Sequence, residues 1–156
     1  MLAKPSPEFG GTINFKKRCT RRILSTKKPI HLVLKASRPV LFQNRKVIHK
    51  ILKRQSKLAG VTLYKVSIQR DHIHHAIRIT NRQAYCKFIR AVTGLLSRKF
   101  GRKLWKFRPY TRIAEWKRAF NNLLKYIEQN ELEVFGVIAY QARKSKKPGV
   151  GSSNIG

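Results

Sequence analysis

The chain has 156 residues and 42% hydrophobic content, enough to close one core and too little for two comfortable domains. Thirty-six Lys and Arg against six Asp and Glu give a formal net charge of +30, which disfavours basic partners and points to polyanions, nucleic acid first among them. The apolar runs are only a few residues long, the N-terminus has no signal-like stretch and no lipidation motif is evident, so no membrane role is expected. Cys19 and Cys86 lack CxxC spacing, which argues against a disulfide framework or cysteine zinc site and suits a reducing, cytoplasmic compartment.

Residues 1–29 read as a basic N-terminal arm rich in Pro, Gly, Ser, Lys and Arg, with no persistent period. A first strand is predicted at Ile30–Ser37, with Ile30, Leu32, Leu34 and Ala36 on one face, and Pro39 ends it. Helical spacing of Val47, Ile48, Ile51, Leu52 and Leu58 predicts a helix from Asn44 to Leu58, stopped by Gly60. Val61–Gln69 alternates as a second strand, with Tyr64, Val66 and Ile68 inward and Lys65, Ser67 and Gln69 outward.

A turn at Gln69–Asp71 leads into a third strand carrying His72-Ile73-His74-His75-Ala76-Ile77-Arg78-Ile79. Strand alternation puts His72, His74, Ala76 and Arg78 on one side and Ile73, His75, Ile77 and Ile79 on the other. Two imidazoles at i and i+2 project side by side and can grip one metal ion, and Arg78 beyond them suits a phosphate. His75 is expected at the edge of the core, and Asp71 in the turn rather than orienting a histidine.

Thr80 is the expected N-cap of a second helix reaching Phe100, with Phe88, Ile89, Val92, Leu95, Leu96 and Phe100 buried, and Gly101 closes it. Trp105–Ile113 is read as a fourth strand that Pro109 pushes toward an edge. A third helix follows from Ala114 to Asn130, with Trp116, Phe120, Leu123 and Ile127 as its docking stripe; Tyr126 and Asn130, four apart, share another face. The fold class is therefore α+β: a ferredoxin-like, RRM-like βαββαβ antiparallel sheet with one open face and an additional C-terminal helix. The domain is expected over residues 30–140, with a basic, disordered tail at 141–156.

From about Lys28 to Gly136 the chain resembles the single-tyrosine transposases of the HUH nuclease superfamily, the small insertion-sequence and REP-associated enzymes that act on single-stranded DNA. The resemblance rests on strand-borne His72-Ile73-His74, matching the His-hydrophobic-His motif, and on Tyr126-Ile127-Glu128-Gln129-Asn130, matching the late-helix Tyr-x-x-x-Gln/Asn motif. It implies a DNA endonuclease and transposase acting on hairpin-bearing single strands, with Tyr126 as the nucleophile that forms a 5′-phosphotyrosine. It also implies a divalent metal, Mg2+ or Mn2+, on His72, His74 and Asn130. Asn130 departs from the glutamine of many relatives and has a shorter reach. A homodimer is possible on this resemblance, because in many relatives the catalytic helix of one subunit completes the histidine site of its partner, while in others one chain suffices.

The charge pattern nominates Lys16, Lys17, Arg18, Arg21, Arg22, Lys65, Arg78, Arg108 and Arg112 for DNA phosphates, and Trp105, with Phe107 and Tyr110, for stacking on bases. Two alternatives stay open: a non-catalytic RNA- or single-strand-binding module, and a domesticated REP-associated relative using the same site.

Overall fold

The computed structural model describes residues 7–18 and 20–142. Its framework is a five-stranded antiparallel sheet of β1 (Glu8–Phe9), β2 (Ile30–Lys35), β3 (Val61–Ile68), β4 (His72–Ile79) and β5 (Tyr110–Ile113), in the order β1-β5-β2-β4-β3. Without β1 this is the ferredoxin-like order expected from the βαββαβ pattern. Central β2 alternates strictly: Ile30, Leu32 and Leu34 face α1 (Arg45–Ala59) and α2 (Arg82–Phe100), and His31 and Val33 face the other way. Ile48 and Leu52 of α1, Ile73 and Ile77 of β4, and Phe88, Val92 and Leu96 of α2 are fully buried in the same core. Each contributes about 1.5–3 kcal/mol through the apolar surface it removes from water.

Residues outside that layer rearrange several expectations. The arm is not wholly outside the fold, because Glu8–Phe9 adds an edge strand on β5 and Phe9 is buried. The fourth strand is shorter than Trp105–Ile113: pairing starts only after Pro109, and residue 105 touches the sheet through a single Ala36–Trp105 bridge. Nor is β5 an edge, since β1 covers it. Asn81, not Thr80, caps α2, its side chain accepting from the Ala84 amide at 2.8 Å. Val47 and Leu58 lie on the exposed side of α1, and Leu95 is only half-buried on α2.

Tyr64 was expected inward, but a register shift between Leu63 and Lys65 inserts it as an extra residue. A bulge of this kind turns the strand locally, and Tyr64 packs on Trp116 and Phe120 instead of in the core. The last helix, α3, runs Arg118–Val134, later than predicted at both ends. Lys117, at φ 65°, breaks the backbone just before it, leaving Trp116 in the preceding turn with its indole N–H on the Lys27 carbonyl. Leu123 and Ile127 bury themselves over Ala76, so α3 covers the β3–β4 half of the sheet face that the sequence suggested was open.

Candidate active site

The site is built on the sheet face opposite the two-helix layer. On β4, His72 and His74 stand on that face with ring centroids 4.7 Å apart, while His75 points into the core. The β3–β4 turn is closed by the Gln69 amide on the His72 carbonyl at 2.8 Å. Asp71 then does more than turn the chain. Its carboxylate accepts from His72 Nδ1 at 2.6 Å and from Lys35 Nζ at 2.7 Å. Partial burial opposes ionisation of Asp71, but the Lys35 and His72 hydrogen bonds outweigh it and hold the carboxyl below its ordinary pKa. A carboxylate only accepts, so in this contact His72 Nδ1 carries a proton, and Nε2 is the ring nitrogen turned away from Asp71.

His74 is 5% exposed and meets a residue the sequence reading left as an ordinary strand position: His31 Nε2 lies 3.1 Å from His74 Nδ1, with the rings stacked 22° from parallel. Burial, reinforced by the charge of Arg112, lowers the His31 pKa to about 4, so this ring is neutral at physiological pH. The signal that could have found it was strand alternation itself, which puts His31 on the same face as Val33 and hence beside the β4 histidines.

Docking through Leu123 and Ile127 leaves Tyr126 half-buried over the same place. Its ring meets His74 edge-on at 5.4 Å and His31 at 5.9 Å. Asn130, one turn on, is buried; its Nδ2 donates to the Tyr126 carbonyl at 2.7 Å, and its own carbonyl accepts from Gln69 Nε2 at 2.8 Å. The amide oxygen of Asn130 is therefore the part of its side chain left for a ligand, at the end of the β3–β4 hairpin that carries His72. Among the described residues no three His, Cys, Asp or Glu side chains form a metal-holding group; the candidate donors are the imidazoles of His72 and His74 and the Asn130 amide oxygen. The donor set fits a divalent ion in kind: two imidazoles, at least one with its Nδ1 already occupied, and one amide oxygen.

A cleft of about 880 Å³ opens beside Tyr126 and His74, bounded by His31, Tyr110, Arg112 and Lys28. Tyr110 is pushed up to about 12 by burial and by Glu8, and stays a neutral phenol. Arg112, nominated for phosphate, reaches Glu8 at 3.7 Å and also borders this cleft.

The other nominated cations separate into groups. Lys16, Lys17 and Arg108 come together with Lys106 around a second, smaller cleft of about 260 Å³, walled by Phe15 and Phe107 in edge contact at 5.3 Å. Arg18 and Arg21 are exposed on the same arm. Arg22 is instead a structural strut: it donates to Thr111 Oγ1 at 2.8 Å and lies over the Phe9 ring at 4.5 Å. Lys65 pairs with Glu128 of α3 at 3.1 Å. Arg78 is exposed, but six strand residues put it about 20 Å from His72, outside the histidine site. Trp105 is packed against the core with its indole N–H on the Thr93 carbonyl at 3.1 Å, a packing environment rather than a stacking platform. His75 sits fully inside the core, its Nδ1 donating to the Leu32 carbonyl at 3.2 Å.

Comparison with known proteins bears on the family and the fold. Residues 24–134 match the family model described as "Transposase IS200 like". No curated protein matches the chain. Among solved structures it is similar to the REP-associated tyrosine transposase bound to a REP hairpin, with a TM-score of 0.59 and 9% identity over 74% of this chain and 73% of that one; at this identity the likeness is one of fold. A putative transposase from Deinococcus radiodurans R1 is more weakly similar, with a TM-score of 0.46 and 16% identity over 72% and 97% of the two chains. A family match across well over half of the chain, on the fold that carries the histidine pair and the helix tyrosine, places this protein in the IS200-like transposase family.

Proposed function

We propose that the chain is a metal-dependent single-stranded DNA endonuclease and transposase that works through a covalent 5′-phosphotyrosine at Tyr126. The observation that carries the reading is the Tyr126 ring 5.4 Å from His74, held there by the helix that docks on the histidine face. Tyr126 Oη forms a bond to the scissile phosphorus, the P–O3′ bond breaks, and the 3′-oxygen leaves as a hydroxyl with a proton. Rejoining is the reverse: a 3′-hydroxyl attacks the phosphotyrosine and Tyr126 leaves as the phenol, so no nucleotide cofactor is consumed. His72, His74 and the Asn130 amide oxygen hold Mg2+ or Mn2+, whose contribution when bound is Lewis-acid stabilisation of negative charge on the phosphate. Because Tyr126 lies over histidines of its own chain, we assign cleavage in cis, without a partner's helix.

The substrate is a hairpin-bearing single strand, by analogy with the REP hairpin bound by the structural relative. Lys16, Lys17 and Arg108 contact its phosphates from the smaller cleft, Arg18 and Arg21 extend that surface, and Arg112 borders the path to Tyr126. The catalytic unit on this reading is 30–140 with the 1–29 arm as DNA clamp, acting at the nucleoid in the cytoplasm. None of the helices is long and apolar enough to cross a membrane, among the described residues.

The test is a denaturing gel of hairpin-containing single strands from the gene's flanks, incubated with Mn2+ and either wild-type or Tyr126→Phe protein. A metal-dependent covalent protein–DNA band present only with Tyr126 supports the reading. Binding with no adduct, across several flanking substrates and both metals, would sink it and leave a binding module.

A further inference from the structure

We infer that His31 is a positioning residue that fixes His74 in its Nδ1–H tautomer, so that Nε2 is the nitrogen His74 offers to a metal. The inference rests on the reading of His72 and His74 as ligands and adds what sets them. An imidazole can ligate through one nitrogen only when the proton sits on the other, so a two-histidine site needs both tautomers chosen in advance. At His72 the choice is made by Asp71, 2.6 Å from Nδ1. At His74, among the described residues, the group that meets Nδ1 is His31 Nε2, at 3.1 Å.

Two imidazole nitrogens facing each other in a hydrogen bond share a single proton across the contact. If His31 donates, His74 must carry its proton on Nε2, its Nδ1 is occupied, and neither nitrogen is left for a metal. If His31 accepts, His74 is protonated on Nδ1 and Nε2 keeps its lone pair. Only the second arrangement allows ligation, and it makes the two histidines equivalent: each has its Nδ1–H held and carries its lone pair on Nε2. His31 then carries its own proton on Nδ1, and it lines the 880 Å³ cleft, where water can accept it.

The fold holds His31 to this task. In the β2–β4 register His31 opposes Ala76 and Val33 opposes His74, so His31 reaches His74 diagonally across a position where Ala76 leaves room. Tyr110 at 6.1 Å and Tyr126 at 5.9 Å meet the His31 ring edge-on and limit its rotation. The same ring that orients a ligand therefore also packs against the nucleophile's ring.

The experiment reads the tautomer directly. Long-range 1H–15N correlation spectra of 15N-histidine-labelled, metal-free full chain at neutral pH should show His72 and His74 both protonated on Nδ1, the form a free imidazole disfavours. In His31→Leu the His74 signal should move to the Nε2–H pattern, whereas His31→Gln, whose amide oxygen can accept the same proton, should keep the Nδ1–H form. Mn2+ affinity, followed by the free-ion EPR signal, should fall about 10–100-fold in His31→Leu and stay near wild type in His31→Gln. An Nε2–H His74 in the wild type would overturn the inference. So would a His31→Leu chain with unchanged tautomer and Mn2+ affinity, or a His31→Gln chain that melts with the wild type yet loses both readouts as fully as His31→Leu. Absence of Tyr126 adducts alongside the expected tautomer and Mn2+ responses would sink the nuclease reading and leave the role of His31 standing.

Discussion

His74 and His75 are neighbours on one strand, and their exposures, 5% and 0%, are nearly the same. Alternation sends one to the face under α3 and the other into the α1–α2 core. His75 donates Nδ1 to a single backbone oxygen, faces Phe88 at 6.4 Å, and is held by burial at a pKa of about 4. His74 meets two other imidazoles and a phenol. Burial thus separates neither residue from the other; what differs is whether the surrounding groups can exchange protons and accept a charged ligand. The comparison teaches that a histidine's function follows from the side chains on its face rather than from its depth.

The strongest way to break that contrast is substitution at the site face. Tyr126→Phe and His74→Leu should each reduce covalent adduct by about 1,000-fold or more on gels, since in the proposed function one removes the nucleophile and the other a ligand. His75→Leu should cleave within about twofold of wild type, and an equal loss there would erase the distinction between the faces. Next comes the cis assignment: mixing His72→Ala with Tyr126→Phe chains should restore no cleavage after confirmed subunit exchange, and recovery would mean Tyr126 serves a partner's histidines.

Asp71→Asn keeps the size of the group that holds His72 but removes its charge, and should weaken Mn2+ binding about tenfold by EPR titration. A further effect concerns acid stability rather than the site. His75 has a folded pKa lowered from 6.5 to about 4, so between those values the unfolded chain binds the extra proton and stability falls as pH drops. Its full contribution is about 3 kcal/mol, lost progressively below pH 6.5. Urea melts across this window should show a shallower pH slope for His75→Leu than for wild type.

Much of this was legible in the amino-acid order. Period-2 alternation in His72–Ile79 separated the His72/His74 face from the core face, and the i, i+4 spacing of Tyr126 and Asn130 put them on one side of a helix, because both patterns follow from local backbone geometry alone. Gly60 likewise announced the end of α1 by adopting φ 70°. Local geometry does not report insertions or partners from distant strands. The bulge that expels Tyr64 depends on pairing with β4, and Arg22 became a strut only once Phe9 had joined the sheet beside Thr111. So the sequence by itself determined the strand and helix pattern, the histidine pair and the tyrosine helix. Tertiary structure alone decided that α3 lies across its own sheet and that His31 and Asp71 each hold one histidine, because those contacts join β2, β4 and α3 and appear in no single window of the chain.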